Sequence, residues 1–226
     1  MLKKVLLFDI DGTLVLSGGA GLRAMSRAFE RVYGVADALK NLNLAGRTDS
    51  SIIEDALRAS DLQADGLDEF KSVYFELIEE EIRRPLPGKR VMSGVETLIP
   101  ELAGRPHLAL GLLTGNWEMS GRIKLAHFGL SGYFPFGAFA DDSGQRDRLL
   151  PFALRRAERL SGERIRPQQA IIIGDTPADI LCGKPHGAVT VGIGAAHYSI
   201  DQLREYEPDA LFESLEPTAE LLDLLG

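Results

Sequence analysis

Two aspartates end the first apolar run of the chain, in the stretch LLFDIDGTLV at positions 6–15. Asp9 and Asp11 are separated by one residue, so both side chains lie on the same side of an extended strand. Two such carboxylates repel each other, and a half-buried one is unfavourable unless a cation or hydrogen bonds compensate it. They can also divide labour, because one acid can attack as a nucleophile while a protonated neighbour serves the leaving group and later activates water.

Two more polar segments follow apolar runs farther along the chain. Thr114-Gly115-Asn116 follows HLALGLL, and Asp175 and Asp179 lie in GDTPAD after AIII. Ligands bind beyond the carboxyl ends of parallel strands, so neighbouring strands would bring these segments into one crevice. Oxygen ligands without clustered His or Cys favour a hard cation, most simply Mg²⁺. A bound Mg²⁺ would offset the repulsion between the acids.

Each segment alone also fits an ordinary structural role. A strand often ends in a polar turn containing Asp and Gly, and Thr114-Gly115-Asn116 alone is typical of such a turn. Asp175 alone could lie near the positive end of a helix. The occurrence of all three, each directly after an apolar strand, favours a common chemical site.

The elements around these residues predict an α/β fold. Amphipathic helices are predicted in LRAMSRAFERVYG, SIIEDALRAS and EFKSVYFELIEEEIRR, which follow the first strand. From residue 93, helices alternate with short apolar strands, which is typical of βαβ units and a parallel sheet. We therefore predict a Rossmann-like, three-layer α/β/α core formed by residues 1–15 and 88–226, with an all-helical insertion at 16–87.

Composition narrows the class of function. The chain has 226 residues, a net charge of −8 and a single cysteine, Cys182. The negative charge and the lack of Lys/Arg runs argue against nucleic acid or an anionic membrane as partner. No segment approaches the ~20 apolar residues of a membrane helix. One cysteine suits a reducing compartment, so a cytoplasmic protein is expected. The sequence leaves a monomer and a homodimer equally open.

Taken in order, these motifs resemble those of the haloacid dehalogenase superfamily, in particular phosphoglycolate phosphatase-like hydrolases with a helical (C1-type) cap. The first superfamily motif, D-x-D-G-T, matches 9–13, and the second matches Thr114. The fourth, G-D-x-x-x-D, matches Asp175 and Asp179. The insertion at 16–87 stands where the cap is expected.

The resemblance implies a Mg²⁺-dependent phosphatase that hydrolyses a small phosphorylated metabolite through an aspartyl-phosphate. Two alternatives remain open: a phosphosugar mutase of the β-phosphoglucomutase type, and a degenerate binding module without turnover. The resemblance implies that Asp9 is the nucleophile and Asp11 the general acid/base. It implies that Thr114, Gly115 and Asn116 bind the phosphate. Metal ligation is implied for Asp9, the Asp11 main-chain carbonyl and Asp175, and outer-shell support for Asp179.

The third superfamily motif, a lysine that neutralises the phosphate and the nucleophile, is missing. The corresponding region, 142–151, reads DSGQRDRLLP. Arg146 is the favoured substitute because it precedes the predicted helix, whereas Arg148 falls in its first turn. Lys124 lies on a predicted helix where a surface position is expected, but Lys124 and Arg148 stay open as alternatives to Arg146. Lys184 precedes a proline as the motif lysine often does, but is expected more than ~10 Å from the site.

The loop at 45–49, AGRTD, lies between two predicted helices. By resemblance it faces the substrate, with Arg47 and Thr48 as specificity contacts. A plain helix N-cap by Thr48 or Asp49 is an equally good interpretation. The four histidines show no ligand spacing, and structural roles are expected for them and for a core Cys182.

Overall fold

The computed structural model describes residues 2–226 and contains a six-stranded parallel sheet in the order β5-β4-β1-β6-β7-β8. The central strand β1 carries the apolar sequence KVLLF and hydrogen-bonds to β4 on one side and β6 on the other. Its burial on both sides explains the continuous apolar run. The strands of this sheet are β1 (Lys4–Phe8), β4 (Leu108–Leu113), β5 (Phe136–Ala138), β6 (Ala170–Gly174), β7 (Val189–Ile193) and β8 (Ala210–Phe212).

Helices cover both faces of the sheet. Alternate β1 residues point to opposite faces, so Leu6 and Phe8 pack in one apolar cluster and Val5 and Leu7 in another. The first cluster includes residues of α4, α5 and α9, and the second includes residues of α6 and α7. The predicted three-layer α/β fold is therefore confirmed. The core helices are α4 (Val95–Ala103), α5 (Glu118–His127), α6 (Leu150–Ser161), α7 (Pro177–Gly183), α8 (Ile200–Arg204) and α9 (Ala219–Leu225).

The helical insert lies between two short strands, β2 (Val15–Leu16) and β3 (Arg90–Val91), which pair antiparallel and form its stem. It contains α1 (Ala20–Tyr33), α2 (Asp49–Ala59) and α3 (Leu67–Arg83), as the amphipathic patterns predicted. These helices bury an apolar cluster of their own, which also receives Trp117 from the core. The insert thus packs directly on the carboxyl end of the sheet.

Five short elements were not predicted: β2, β3, β8, α8 and α9. Two- and three-residue strands are too short to show a hydrophobic period, and β8 is only partly buried. Within residues 2–226, every helix is too short or too polar to cross a membrane.

Candidate active site

The three polar segments meet at the carboxyl ends of adjacent strands. Asp9 follows β1, Thr114 follows β4 and Asp175 follows β6, and these strands are neighbours in the order β4-β1-β6. The common crevice expected from the sequence is therefore present.

Asp9, Asp175 and Asp179 form a cluster of buried acids. One carboxylate oxygen from each lies within 4.8 Å of the other two. Burial raises the pKa of Asp9 to about 6, although Arg146 opposes the increase. Burial also raises the pKa of Asp175 and of Asp179. The neighbouring cations thus leave the charge of the three acids incompletely compensated, and this oxygen-only donor set fits a hard divalent cation.

Backbone geometry brings the loop after β1 against Asp175. Gly12 has φ +88, and a Cβ there would lie 2.2 Å from Asp175 Oδ2, so only glycine fits. Thr13 Oγ1 donates to Asp175 Oδ1 over 3.4 Å. The Asp11 main-chain carbonyl accepts no hydrogen bond from residues 2–226, which leaves it open to a metal.

His197 is a site residue that the sequence analysis missed. Its Nδ1 lies 2.7 Å from Asp175 Oδ2, and its backbone N–H donates to the same oxygen over 3.2 Å. The hydrogen bond to Asp175 raises the pKa of His197. His197 follows β7, the neighbour of β6 in the sheet. Its place shortly after β7 is the signal that could have indicated it, although Gly194, Ala195 and Ala196 separate it from the end of the strand.

The Asp11 carboxylate is held apart from the acid cluster. Its Oδ2 accepts hydrogen bonds from Lys124 Nζ at 2.6 Å and Asn116 Nδ2 at 2.8 Å. Burial acts to raise the pKa of Asp11, but the charge and hydrogen bond of Lys124 and the hydrogen bond of Asn116 hold it below its usual range. The expectation of a surface position for Lys124 was wrong, since its side chain is buried.

Thr114 and Asn116 form a small hydrogen-bond network with Lys124. Thr114 Oγ1 accepts from Asn116 Nδ2 over 2.8 Å, and Asn116 Oδ1 accepts from Lys124 Nζ over 2.7 Å. The Thr114 hydroxyl in turn donates a hydrogen bond to the Asp9 carboxylate, which acts to lower the pKa of Asp9. The Gly115 N–H donates no hydrogen bond within residues 2–226. The Gly115 N–H can thus donate to a phosphoryl oxygen, the Thr114 hydroxyl lies beside Asp9, and the Asn116 side chain is occupied by Thr114, Lys124 and Asp11.

Arg146 is a buried cation that contacts two acids of the cluster. Its Nη2 donates to Asp9 Oδ1 over 2.8 Å and also to Asp179 Oδ1. Despite burial, the charges of Asp179 and Asp9 raise the pKa of Arg146, so it stays a cation. Arg146 and Arg148 belong to one 3₁₀ turn, Arg146–Arg148, which precedes α6. Arg148 is exposed.

The remaining candidates lie away from the reacting groups. Lys184 is partly exposed and pairs with Glu207. Cys182 is a buried core residue, as expected, and its thiol donates to the Arg146 carbonyl oxygen.

The loop before α2 rests on the core. Thr48 caps α2 by accepting from the Ser51 N–H, and its hydroxyl donates to the Gly144 carbonyl oxygen over 2.6 Å. The N-cap interpretation of Thr48 is therefore confirmed. Arg47 Nη2 lies 2.7 Å from Asp55 Oδ2 and donates to the Ser51 carbonyl oxygen over 2.8 Å.

A cavity of about 480 Å³ lies between insert and core. Asp9, Asp11 and Arg146 lie at its core side, while Arg47 and Asp49 reach it from the insert; Thr48 is not part of its lining. Its volume is typical of a small-molecule site.

Comparison with known proteins agrees with this geometry. The sequence profile of the family described as haloacid dehalogenase-like hydrolase matches residues 6–193. The chain is 27% identical to pyrophosphatase PpaX of Halalkalibacterium halodurans, over 97% of this chain and 95% of that protein. It is 26% identical to a phosphoglycolate phosphatase of Aquifex aeolicus, over 97% of each chain.

A solved structure shares the fold. CbbY of Rhodobacter sphaeroides, in complex with phosphate, aligns over 97% of each chain with a TM-score of 0.74 at 18% identity. The enzyme class predicted from the sequence, a phosphatase of the haloacid dehalogenase superfamily, is confirmed. This chain belongs to the haloacid dehalogenase-like hydrolase family.

Proposed function

We propose that the protein is a Mg²⁺-dependent phosphatase that hydrolyses a small phosphorylated metabolite through an aspartyl-phosphate on Asp9. The observation that carries the proposal is the position of Asp9. It lies in one cluster with Asp175 and Asp179 and accepts a hydrogen bond from the guanidinium of Arg146. The second acid, Asp11, is instead hydrogen-bonded to Lys124. The proposed nucleophile, Asp9, and the proposed general acid/base, Asp11, thus line one cavity, and Asp9 also belongs to the acid cluster that would hold the metal.

In the first step, an Asp9 carboxylate oxygen attacks phosphorus while the bond from phosphorus to the leaving oxygen breaks. Arg146 stabilises the negative charge on the phosphoryl oxygens, with Thr114 and the Gly115 N–H as further donors. Asp9, Asp175 and the Asp11 carbonyl, with Asp179 in support, would hold Mg²⁺, which would supply electrostatic stabilisation of the phosphoryl group when bound.

Asp11 supplies and then removes a proton. Lys124 and Asn116 occupy its Oδ2, so Oδ1 is left for the leaving oxygen. Although this network favours the ionised form, an arriving phosphate dianion raises the pKa of Asp11 by like-charge repulsion and favours protonation. Asp11 then protonates the leaving alcohol. In the second step it takes a proton from the water that attacks phosphorus and releases Asp9 and inorganic phosphate.

The first test is hydrolysis of p-nitrophenyl phosphate with and without Mg²⁺. Removing Mg²⁺ with EDTA is expected to lower the rate at least about 100-fold, because the metal supplies several kcal/mol of charge stabilisation. Mg²⁺ should also raise the melting temperature, since it offsets repulsion among the clustered acids.

The same assay separates the alternatives. Phosphate release without added sugar bisphosphate supports a phosphatase over a mutase. Absence of any turnover, with Mg²⁺ binding retained, would instead favour a binding module.

We propose further that 16–87 forms the cap and that 1–15 and 88–226 form the core, with Arg47 and Thr48 contributing to specificity. The separate apolar cluster of the insert and its two-stranded stem support this division. Thr48 would act indirectly, by fixing the loop that carries Arg47.

Gly115→Ala is expected to prevent seating of the cap. A Cβ at this position would lie 2.0 Å from the Arg47 carbonyl oxygen, so the cap loop must move. We expect kcat/KM to fall about 10-fold or more, since misplacement by about 1 Å can have such effects. The matched control is Gly132→Ala, where an added Cβ meets no atom within 4 Å. Equal activity of the two variants would contradict close seating of the cap.

A further inference from the structure

Asp49 brings a partly unpaired carboxylate from the insert to the cavity. It is the first residue of α2 and only 8% exposed. Its Oδ2 accepts from the Trp117 N–H over 2.9 Å and from the Ser120 hydroxyl over 3.2 Å. Its Oδ1 accepts no hydrogen bond from residues 2–226.

The free oxygen is open to the cavity rather than enclosed by protein. In the described part of the chain, the buried side-chain atoms without a hydrogen-bond partner belong to Arg23, Tyr33 and Arg146. Asp49 Oδ1 is not among them, and Asp49 is a lining residue of the cavity. Its free lone pairs are therefore available to a bound molecule.

The cations of the cavity are already engaged by acids. Arg47 pairs with Asp55 at 2.7 Å, Lys124 with Asp11 at 2.6 Å, and Arg146 with Asp9 at 2.8 Å. Two further basic residues line the cavity: His197 pairs with Asp175 at 2.7 Å, and Arg90 is exposed and donates to the Gly88 carbonyl oxygen. A second anionic group of a substrate, beyond the phosphoryl group, would thus meet the free carboxylate oxygen of Asp49 in the enclosed part of the cavity and no free cation.

The insert side of the cavity also has an apolar wall. This wall suits the carbon framework of a leaving group, and Asp49 suits a polar substituent on it. The apolar and aromatic residues that the insert contributes to the lining are Leu16, Leu22, Met25, Leu44, Ala45, Ile52 and Tyr74.

We propose that Asp49 is a specificity-determining residue whose Oδ1 accepts a hydrogen bond from a hydroxyl of the leaving group. The substrates would then be phosphomonoesters of uncharged, hydroxylated alcohols, such as polyols or sugars. This inference rests on the proposed phosphatase function and adds a substrate class to it. Substrates that carry a second anionic group are excluded because the buried Asp49 carboxylate repels that group.

The charge state of Asp49 supports an acceptor role. Burial raises the pKa of Asp49 to about 6, while Lys124 and the Trp117 N–H oppose the increase. Above that pH, Asp49 is ionised and can only accept hydrogen bonds. An ammonium group on the substrate is disfavoured by the nearby Lys124, so hydroxyl is the favoured donor.

The test compares matched substrates on the wild-type enzyme with Mg²⁺. Glycerol 1-phosphate and ribose 5-phosphate carry hydroxyls, whereas propyl phosphate does not, and 2-phosphoglycolate and pyrophosphate carry a second anion. We expect kcat/KM for glycerol 1-phosphate to exceed that for propyl phosphate at least about 10-fold, the effect of a hydrogen bond to a charged group. A preference for propyl phosphate, 2-phosphoglycolate or pyrophosphate would overturn the inference.

Asp49→Asn then assigns the selectivity to one residue. It keeps the shape of the side chain but replaces a charged acceptor by a neutral amide. We expect a 10- to 100-fold lower kcat/KM for glycerol 1-phosphate, corresponding to about 1.5–3 kcal/mol. For p-nitrophenyl phosphate, which has no hydroxyl, the change should stay within about threefold. A circular-dichroism melt checks folding, and the wild-type comparison stands if the variant fails to fold.

Ser50→Ala is the matched control for cap contact alone. Ser50 donates to the Ala140 carbonyl oxygen over 3.0 Å and accepts from Trp117 Nε1 over 2.9 Å, but does not line the cavity. Loss of the Ser50 hydroxyl should lower kcat/KM by the same factor for every substrate. A uniform loss for Asp49→Asn as well would show that Asp49 only holds the cap, and would overturn the inference. If the wild-type enzyme hydrolyses hydroxylated phosphomonoesters but not p-nitrophenyl phosphate, the inference is supported; no hydrolysis of any phosphomonoester would overturn the proposed function itself.

Discussion

Asp9→Asn is expected to lower kcat by about 10⁴-fold or more, the scale on which covalent catalysis is lost with its nucleophile. The asparagine amide cannot form the aspartyl-phosphate. Asp11→Asn should retain the first step with p-nitrophenyl phosphate, since p-nitrophenolate leaves without protonation, but should slow the hydrolysis of the intermediate.

Trapping with beryllium fluoride and Mg²⁺ tests directly whether Asp9 or Asp11 is the nucleophile. A bound-fluoride signal in ¹⁹F NMR is expected for the wild type and for Asp11→Asn, and should be absent from Asp9→Asn. The reverse pattern would move the nucleophile to Asp11.

Loss of activity in Asp9→Asn should not reflect unfolding. The substitution removes one negative charge from three acids that lie within 4.8 Å of one another. Arg146 keeps its contact with Asp179 in the variant. Without Mg²⁺, the melting temperature is therefore expected to equal or exceed that of the wild type.

The sheet and its acids could be predicted because local patterns encode them. Apolar runs such as KVLLF and AIIIG mark buried parallel strands, and the polar residues directly after them must lie at one edge. Asp9, Thr114 and Asp175 followed from this rule.

Lys124 could not be placed because its position depends on the approach of α5 to the sheet. A Cβ at Gly121 would lie 2.9 Å from Ile10 Cδ1, so glycine permits this close packing. The buried face of α5 carries Ser120, Gly121, Lys124 and Leu125. A buried face of small and polar residues gives little amphipathic signal, so the sequence could not show which side of the helix faces Asp11.

The role of Asp49 was equally hidden. In sequence it is a polar residue at a helix start, for which capping is the ordinary explanation. Only the packing of α2 against α5 shows that Thr48 is the cap and that Asp49 meets the Trp117 N–H. Contacts between insert and core depend on tertiary geometry that no local pattern records.

Arg146→Ala is expected to lower kcat/KM by roughly two orders of magnitude or more. Arg146 is the cation that bridges Asp9 and Asp179, and its guanidinium can contact a carboxylate and a phosphoryl oxygen together. Loss of one preorganised donor in an enclosed site has effects of about 10²–10³-fold. Arg146→Lys keeps the charge and should restore much of the rate, whereas Arg148→Ala, at an exposed position, should change little.

Leaving-group dependence distinguishes Arg146 from Lys124. Arg146 acts on the phosphoryl group, so Arg146→Ala should slow p-nitrophenyl phosphate and alkyl phosphates alike. Lys124 touches Asp11, so Lys124→Ala should slow alkyl phosphates, whose leaving oxygen needs a proton, far more than p-nitrophenyl phosphate. The measurement is kcat/KM for both substrates in each variant. If Arg146→Ala remains near wild type while Lys124→Ala loses activity on both substrates, Lys124 rather than Arg146 replaces the missing lysine.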